Sequence, residues 1–331
     1  MEAEGVQEKK GIPWGLGIPE EVETEYTGVK LGEYYADPEI MLQTQLKTQE
    51  IFRQLYDFDK RGVGPAYSSY VEASMLGAEV IFPEDNVPMV KEPVLKEAKD
   101  VYKLKVLDPY KEGLMSRAIQ TYRYMKKRVG DKLPVNLGGT EGPITTAVIL
   151  RGQDFFIDLF LHPKEAHKLL ALVTEVSLML REVIEKVTGE PIRSTGICDD
   201  FSGLLSPEQY EEFAFPYQKQ IYEAFGHEGR GMHSELLRRE HLKFLPRLGV
   251  TSFDPGMDQY LTIEDIKTEI DIHFSWNLKT SDDILQGTPE TIKAKYEQAV
   301  AEGAPEIVTE LCRGVPRENV RAFIEVARRF E

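Results

Sequence analysis

Two cysteines in 331 residues, Cys198 and Cys312, are too few for a disulfide framework and exclude the small stapled folds of secreted proteins. No apolar run reaches membrane-spanning length, and no signal-peptide-like apolar segment opens the chain, so the sequence reads as a soluble cytoplasmic protein. Basic runs are missing as well. With 40 Lys and Arg against 56 Asp and Glu the net charge is −16, and nucleic acid is not an expected partner. What is present is length, enough for two ordinary domains or for one α/β barrel with a large core.

Chemistry-bearing residues gather in two places, Gly231-Met232-His233-Ser234-Glu235 and Glu310-Leu311-Cys312. Each reads as the end of a short apolar strand. Residues two apart on a strand share a face, so His233 pairs with Glu235, and Glu310 with Cys312. An imidazole, a thiol and carboxylates converging on one point would suit zinc with an open coordination position. The plainer alternative is a hydrogen-bonded His-X-Glu pair and a buried cysteine that only fills space.

In chain order, residues 1–36 are rich in Glu, Gly and Pro but also carry Trp14, Tyr34 and Tyr35, which predicts an arm folded back over the main body. Asp37-Pro38 supplies a cap and a first-turn proline for a helix running to about residue 56. Residues 77–82 and 133–137 read as strands, with a helix at 114–129 between them. The second strand empties into Gly138-Gly139-Thr140-Glu141-Gly142-Pro143, which lacks the Lys-Ser/Thr ending of a phosphate loop.

From there a strand-then-helix rhythm repeats. Strands are predicted at 192–198, around His233, at 250–254, at 270–277 and at 306–312. Ser206-Pro207-Glu208-Gln209 is a capping box for a helix to about residue 225; a basic helix is expected at 236–248; Thr262 and Thr288 begin two more. Val320, Phe323, Ile324 and Ala327 form the apolar stripe of a closing helix. Such alternation predicts a parallel sheet, and the number of units favours a closed (β/α)8 TIM-type barrel spanning 37–331, with 1–36 as an N-terminal extension. Active sites in these barrels sit at the C-terminal strand ends, where His233, Glu235, Asp199, Asp200, Asn277 and Cys312 all fall.

Gly139-Thr-Glu-Gly-Pro-Ile-Thr-Thr-Ala-Val-Ile-Leu-Arg-Gly152, Leu205-Ser-Pro-Glu-Gln-Tyr with Phe215-Pro216-Tyr217, and Gly287-Thr-Pro-Glu-Thr resemble the uroporphyrinogen decarboxylase superfamily, from about Glu72 to the C-terminus. The resemblance implies the barrel independently of the strand count. It also implies one of two chemistries. Members that decarboxylate porphyrinogens resemble one another in an arginine-rich N-terminal motif and an aspartate for the pyrrole nitrogens. Here Arg53 and Arg61 are the only arginines in the first seventy residues, and Ser68 stands in the aspartate's place. Without guanidinium forks a site grips many carboxylates poorly, which disfavours a porphyrinogen.

The other branch comprises corrinoid-dependent methyltransferases. Its zinc-dependent members carry His-X-Cys after a mid-barrel strand and a Cys in the last strand, and the matching places here hold His233-Ser234-Glu235 and Cys312. The resemblance thus implies zinc held by His233, Glu235 and Cys312, with Glu310 as a reserve ligand or as the partner that orients His233. Glu235 for Cys makes the metal harder and better matched to oxygen. A metal-free version keeps Glu235 as the acid.

The function implied is transfer of a methyl group from a small O-methyl compound, an aryl methyl ether above all, to the Co(I) corrinoid of a separate carrier protein. Asp199, Asp200 or Glu141 would serve as general acid or orient the substrate, although Asp199-Asp200 also reads as a helix-capping turn. Tyr217, Trp276 and Asn277 are candidates for an aromatic substrate pocket, although Trp276 also reads as barrel packing. Asp271-Ile-His273-Phe-Ser-Trp276 lacks the glycine of a corrinoid-binding motif, so the cobalamin is expected on the partner. A decarboxylase of another substrate, or a metal-free barrel with a binding role, are the alternatives; a homodimer is compatible with any of them.

Overall fold

The computed structural model describes residues 11–60, 62–138, 141–257 and 260–331, and all of these but the side chain of Ser68; Arg61, Gly139, Thr140 and the Ser68 side chain therefore lie outside the described parts. Among the described residues there are eight strands: β1 (Trp14–Gly17), β2 (Val80–Ile81), β3 (Met89–Val90), β4 (Ser194–Cys198), β5 (Gly229–His233), β6 (Ser252–Asp254), β7 (His273–Asn277) and β8 (Glu306–Glu310). Six of them make one curled parallel sheet in the order β1-β8-β7-β6-β5-β4, while β2 and β3 form a separate antiparallel hairpin.

The sequence predicts a closed eight-stranded barrel, and the hydrogen-bonded sheet supplies six of its staves. Closure into a full barrel is not shown by the hydrogen bonding: beyond β4 there are two isolated bridges and no further ladder among the described residues. The chain around Val63 bridges that around Val135, and Glu141 bridges Cys198 at the end of β4. Hydrogen bonds from Val63 N to Pro134 O (3.0 Å) and from Asn136 N to Val63 O (2.8 Å) hold the first bridge. Prolines at 65 and 134 remove donors that a ladder would need. The strand predicted at 133–137 is thus a single bridge, and that predicted at 77–82 shrinks to β2, outside the main sheet.

The predicted arm enters the wall itself. β1 pairs in register with β8, Trp14 with Ile307 and Gly17 with Glu310, and Ile307 N and Leu311 N donate to Pro13 O and Gly17 O. Helices Glu20–Thr27 and Leu31–Ala36 follow, burying Tyr34 and Tyr35. Asp37 then caps helix Pro38–Tyr56 as expected, its side chain accepting from Glu39 N at 2.8 Å.

Alternation along the strands sets what faces where. Ile197, Met232, Phe253, Phe274 and Ile307 point outward and are buried against the helices. Their neighbours Gly196, Gly231, Ser252, Ser275 and Gly15 point into the axis, where they line a cavity of about 460 Å³. The helix after β4 begins at the predicted Ser206 box, passes through a π-type turn at Tyr210–Ala214, and continues as Phe215–Phe225. Pro216 cannot donate within that helix, and a π turn is one way to absorb the lost bond. The basic helix expected at 236–248 is cut to a turn at Arg239–His241 and a short helix Phe244–Leu248. The closing helix Arg317–Phe330 buries the predicted stripe.

Candidate active site

The C-terminal strand ends bring Cys198, His233 and Asp254 into one row, because β4, β5 and β6 pair in register there. His233 Nδ1 lies 3.0 Å from Asp254 Oδ2, and its Nε2 lies 3.6 Å from Asp200 Oδ1. Asp254 is fixed on its other oxygen by Asn277 Nδ2 (2.7 Å) and Gly256 N (2.8 Å). Burial alone would lower the His233 pKa, but the hydrogen bond and charge of Asp254, with Asp200 and Glu235 behind it, raise it to about 9. His233 is therefore an imidazolium at neutral pH. Asp254 feels burial in the opposite direction, yet its bond to His233 holds it below the usual carboxylate range.

Glu141 stands beside this row, next to Cys198, and its pKa is pushed up to about 8 by burial and then by the charges of Glu72, Asp200 and Asp199. It is a protonated carboxylic acid at pH 7. Glu72, on the short helix Val71–Met75, is wholly buried, and neither of its oxygens has a hydrogen bond of ordinary geometry. Burial raises it to about 7 against the opposing pull of its own backbone N–H, of Arg181 and of the Glu141 backbone N–H.

Asp199 resolves toward capping. It is fully buried, accepts from Thr145 N (2.8 Å) in the first turn of helix Pro143–Arg151 and from Gln218 Nε2 (2.8 Å), and a side chain on Gly142 would collide with it at 2.2 Å. Asp200 instead faces His233 and accepts from Glu235 N at 2.9 Å. The nominated pair thus splits: Asp200 belongs to the mouth and Asp199 to its scaffold.

The nominated aromatic pocket also changes. Trp276 pairs with Ile307 on the outer face of the sheet and packs against the core, while Asn277, one residue on, faces the axis. A period of two allows only one of them inside. Tyr217 is on the outer helix, where its hydroxyl meets His167 Nδ1 at 2.9 Å, away from the mouth. An aromatic pocket does exist, built from other residues: Tyr35, Tyr67, Tyr70 and Phe82 wall a cavity of about 230 Å³ beside Glu310 and Glu20. Glu310 lines both this pocket and the axial cavity. Tyr70 lies close enough to Glu141 for that carboxyl, after burial, to help raise its own pKa.

The three predicted zinc ligands are not assembled. Among the described residues no three His, Cys, Asp or Glu side chains form a group fit to hold a metal. His233 is committed to Asp254, Glu235 Oε1 accepts from Met257 N at 3.3 Å, and the acidic groups around Cys312 are Glu21, Glu25 and Glu310. Cys312 sits two residues past the end of β8, where the strand alternation that would aim it inward has ended. As arranged, these residues do not fit a three-ligand zinc site.

The sequence reading missed Asp254, Glu72 and the pocket aromatics. Asp254 was placed at a predicted strand end, and only the β5–β6 register shows that it meets His233. A third cavity, about 580 Å³, follows the irregular seam between β1 and β4 and contains the one Lys or Arg among the described residues on these three linings, Lys60, which is ion-paired to Glu23 at 2.7 Å.

The chain matches the uroporphyrinogen decarboxylase (URO-D) family over residues 12–330 and belongs to that family. It is 24% identical over 272 residues to the uroporphyrinogen decarboxylase of Pseudoalteromonas atlantica, covering 77% of this chain and 74% of that protein. It is equally similar, 24% over 251 residues, to the methylcobamide:CoM methyltransferase MtbA of Methanosarcina acetivorans, covering 74% and 72%. Its fold is that of a methyltransferase from Methanosarcina mazei, with a TM-score of 0.75 at 18% identity over 97% of this chain and 94% of the other. No helix among the described residues is long and apolar enough to cross a membrane.

Proposed function

We propose that this protein moves a methyl group from a small aryl methyl ether to the reduced corrinoid of a separate carrier protein. The observation that carries the reading is the character of the mouth: an acid held protonated (Glu141) and an imidazolium (His233) beside an aromatic pocket, with neither Lys nor Arg among the described residues lining the pocket or the axial cavity. Such a site suits a neutral ring whose oxygen must be protonated as it leaves. It repels a substrate bearing several carboxylates.

In this reading the ring lies against Tyr35, Tyr67, Tyr70 and Phe82, with its ether oxygen on the side of Tyr70, the pocket residue that feels the charge of Glu141. As the methyl carbon passes to the acceptor's cobalt, the C–O bond breaks, its electron pair stays on oxygen, and the Glu141 proton moves to that oxygen. An alkoxide or phenolate leaves poorly without such a proton, and general acids of this kind supply roughly 10²–10⁴-fold. His233, held by Asp254, stabilises the negative charge that develops before the proton arrives. No metal step is needed for this sequence, and none is assigned to His233, Glu235 and Cys312. The acceptor docks over the strand ends, where the surrounding acidity steers the encounter.

The test is direct. Purified protein with 1,2-dimethoxybenzene and cob(I)alamin should form methylcob(III)alamin and 2-methoxyphenol, followed by absorbance and chromatography. Release of CO₂ from a porphyrinogen with no methyl transfer would replace this reading with the decarboxylase one.

A further inference from the structure

Barrel interiors of this type are ordinarily filled by layers of branched side chains from alternate strands. Here many inward positions are held by small residues, Gly15, Gly17, Gly196, Gly231, Ser252 and Ser275, with Val308 among them, and the axis is a cavity of about 460 Å³. The glycines are not all demanded by the backbone. Gly196 is outside the left-handed region, and a Cβ placed on it would meet nothing nearer than Gly231 O at 3.9 Å. Neither torsion nor packing requires glycine there; what its absence of side chain preserves is open space.

Among the described residues nothing is packed across either end of the shaft. At the N-terminal end of the strands Ser194, Ser252 and His273 are solvent-exposed, and His273 Nε2 sits 2.9 Å from Glu306 Oε2 as a polar rim. At the other end the shaft reaches His233, Asp254 and Glu310, and Glu310 is shared with the aromatic pocket. The lining of this one cavity thus runs from Ser252, His273 and Glu306 at the N-terminal strand ends to His233, Asp254 and Glu310 at the mouth.

We propose that the barrel axis is a second doorway, through which the small methylated compound and its demethylated product exchange while an acceptor occupies the mouth. The inference rests on the methyl-transfer reading. A corrin is a broad macrocycle that can approach only from the mouth. With one door, an acceptor that arrives first would shut out the ether; with two, either can bind first.

Initial rates with 1,2-dimethoxybenzene and cob(I)alamin varied together distinguish these cases in the wild type, Gly196→Phe and the milder Gly196→Val. In the wild type excess cob(I)alamin leaves the apparent KM for the ether unchanged. In Gly196→Phe excess cob(I)alamin raises that KM about tenfold, while at low cob(I)alamin the rate stays within about threefold of wild type. Neither variant melts below the wild type, because the new side chain enters open space and a strand loses a glycine. Gly196→Val makes the same comparison if the larger side chain prevents folding. Competition by cob(I)alamin in the wild type, or identical patterns in wild type and both variants, overturns the doorway while methyl transfer stands. A wild type that transfers no methyl group at all removes both.

Discussion

In the proposed reaction Glu141 is the acid, and its surroundings then dictate a pH profile. It works as an acid, so activity is flat at neutral pH and falls above about pH 8, as the proton is lost to solvent. Glu141→Gln should abolish that alkaline limb and lower kcat by about 10²–10⁴-fold, measured with 1,2-dimethoxybenzene. A profile unchanged in Gln would move the acid elsewhere. Glu72 gives a stability counterpart. Its folded-state pKa of about 7 lies above the ordinary carboxylate value, so burial destabilises the fold increasingly as pH rises from about 4.5 and the unfolded chain ionises first. Glu72→Gln should therefore be more stable than wild type at pH 8, by on the order of 3 kcal/mol, and match it near pH 4. For the His233–Asp254 pair the sign reverses, because His233 is raised: its contribution is complete below about pH 6.5 and lost as pH rises through about 9. Asp254→Asn should then lower the melting temperature at pH 6 and much less at pH 10. Of these residues the sequence disclosed His233 and Glu141, because a strand end and a family motif mark them. It could not disclose Glu72, since a buried acid is written with the same letter as a solvated one.

At the scale of elements, the helices with chemical start signals were legible: Asp37-Pro38, the Ser206 box, Thr262 and Thr288 all cap as expected. Strands with clear alternation were legible to within a few residues. What failed were the stretches where tertiary pairing overrides local pattern, above all β1, whose Trp14-Gly-Leu-Gly17 carries two glycines and reads as loop, yet is held by β8 on one side. The ligand set is not grouped in the structure, and Cys312 lies two residues beyond the last residue of β8, where strand alternation no longer fixes its direction. Two predictions belong here. Deleting residues 1–17 uncovers the edge of β8 and should give an aggregating protein without a cooperative thermal transition. Cys312→Ala should keep methyl transfer within about threefold of wild type, measured alongside metal content by mass spectrometry. A large loss together with lost zinc would restore the three-ligand site.

For the molecule as a whole, the barrel-type fold and the superfamily were readable because several motifs occur in the right order along one chain, whereas the hollow axis was not, because a glycine in sequence does not say whether it serves a turn or leaves a void. The relatives of this chain include both decarboxylases and a methyltransferase at the same level of identity, so overall likeness does not choose between the two activities, and the proposed reading takes its choice from the chemistry of the mouth. The measurement that decides it is one reaction run twice, with wild type and with Glu141→Gln: 1,2-dimethoxybenzene and cob(I)alamin, read as methylcob(III)alamin formed over time. Steady methyl transfer by the wild type and a drop of about 10²-fold or more in the variant is the expected result. No transfer by the wild type from this or any other methyl ether, with a porphyrinogen decarboxylated instead, would contradict it.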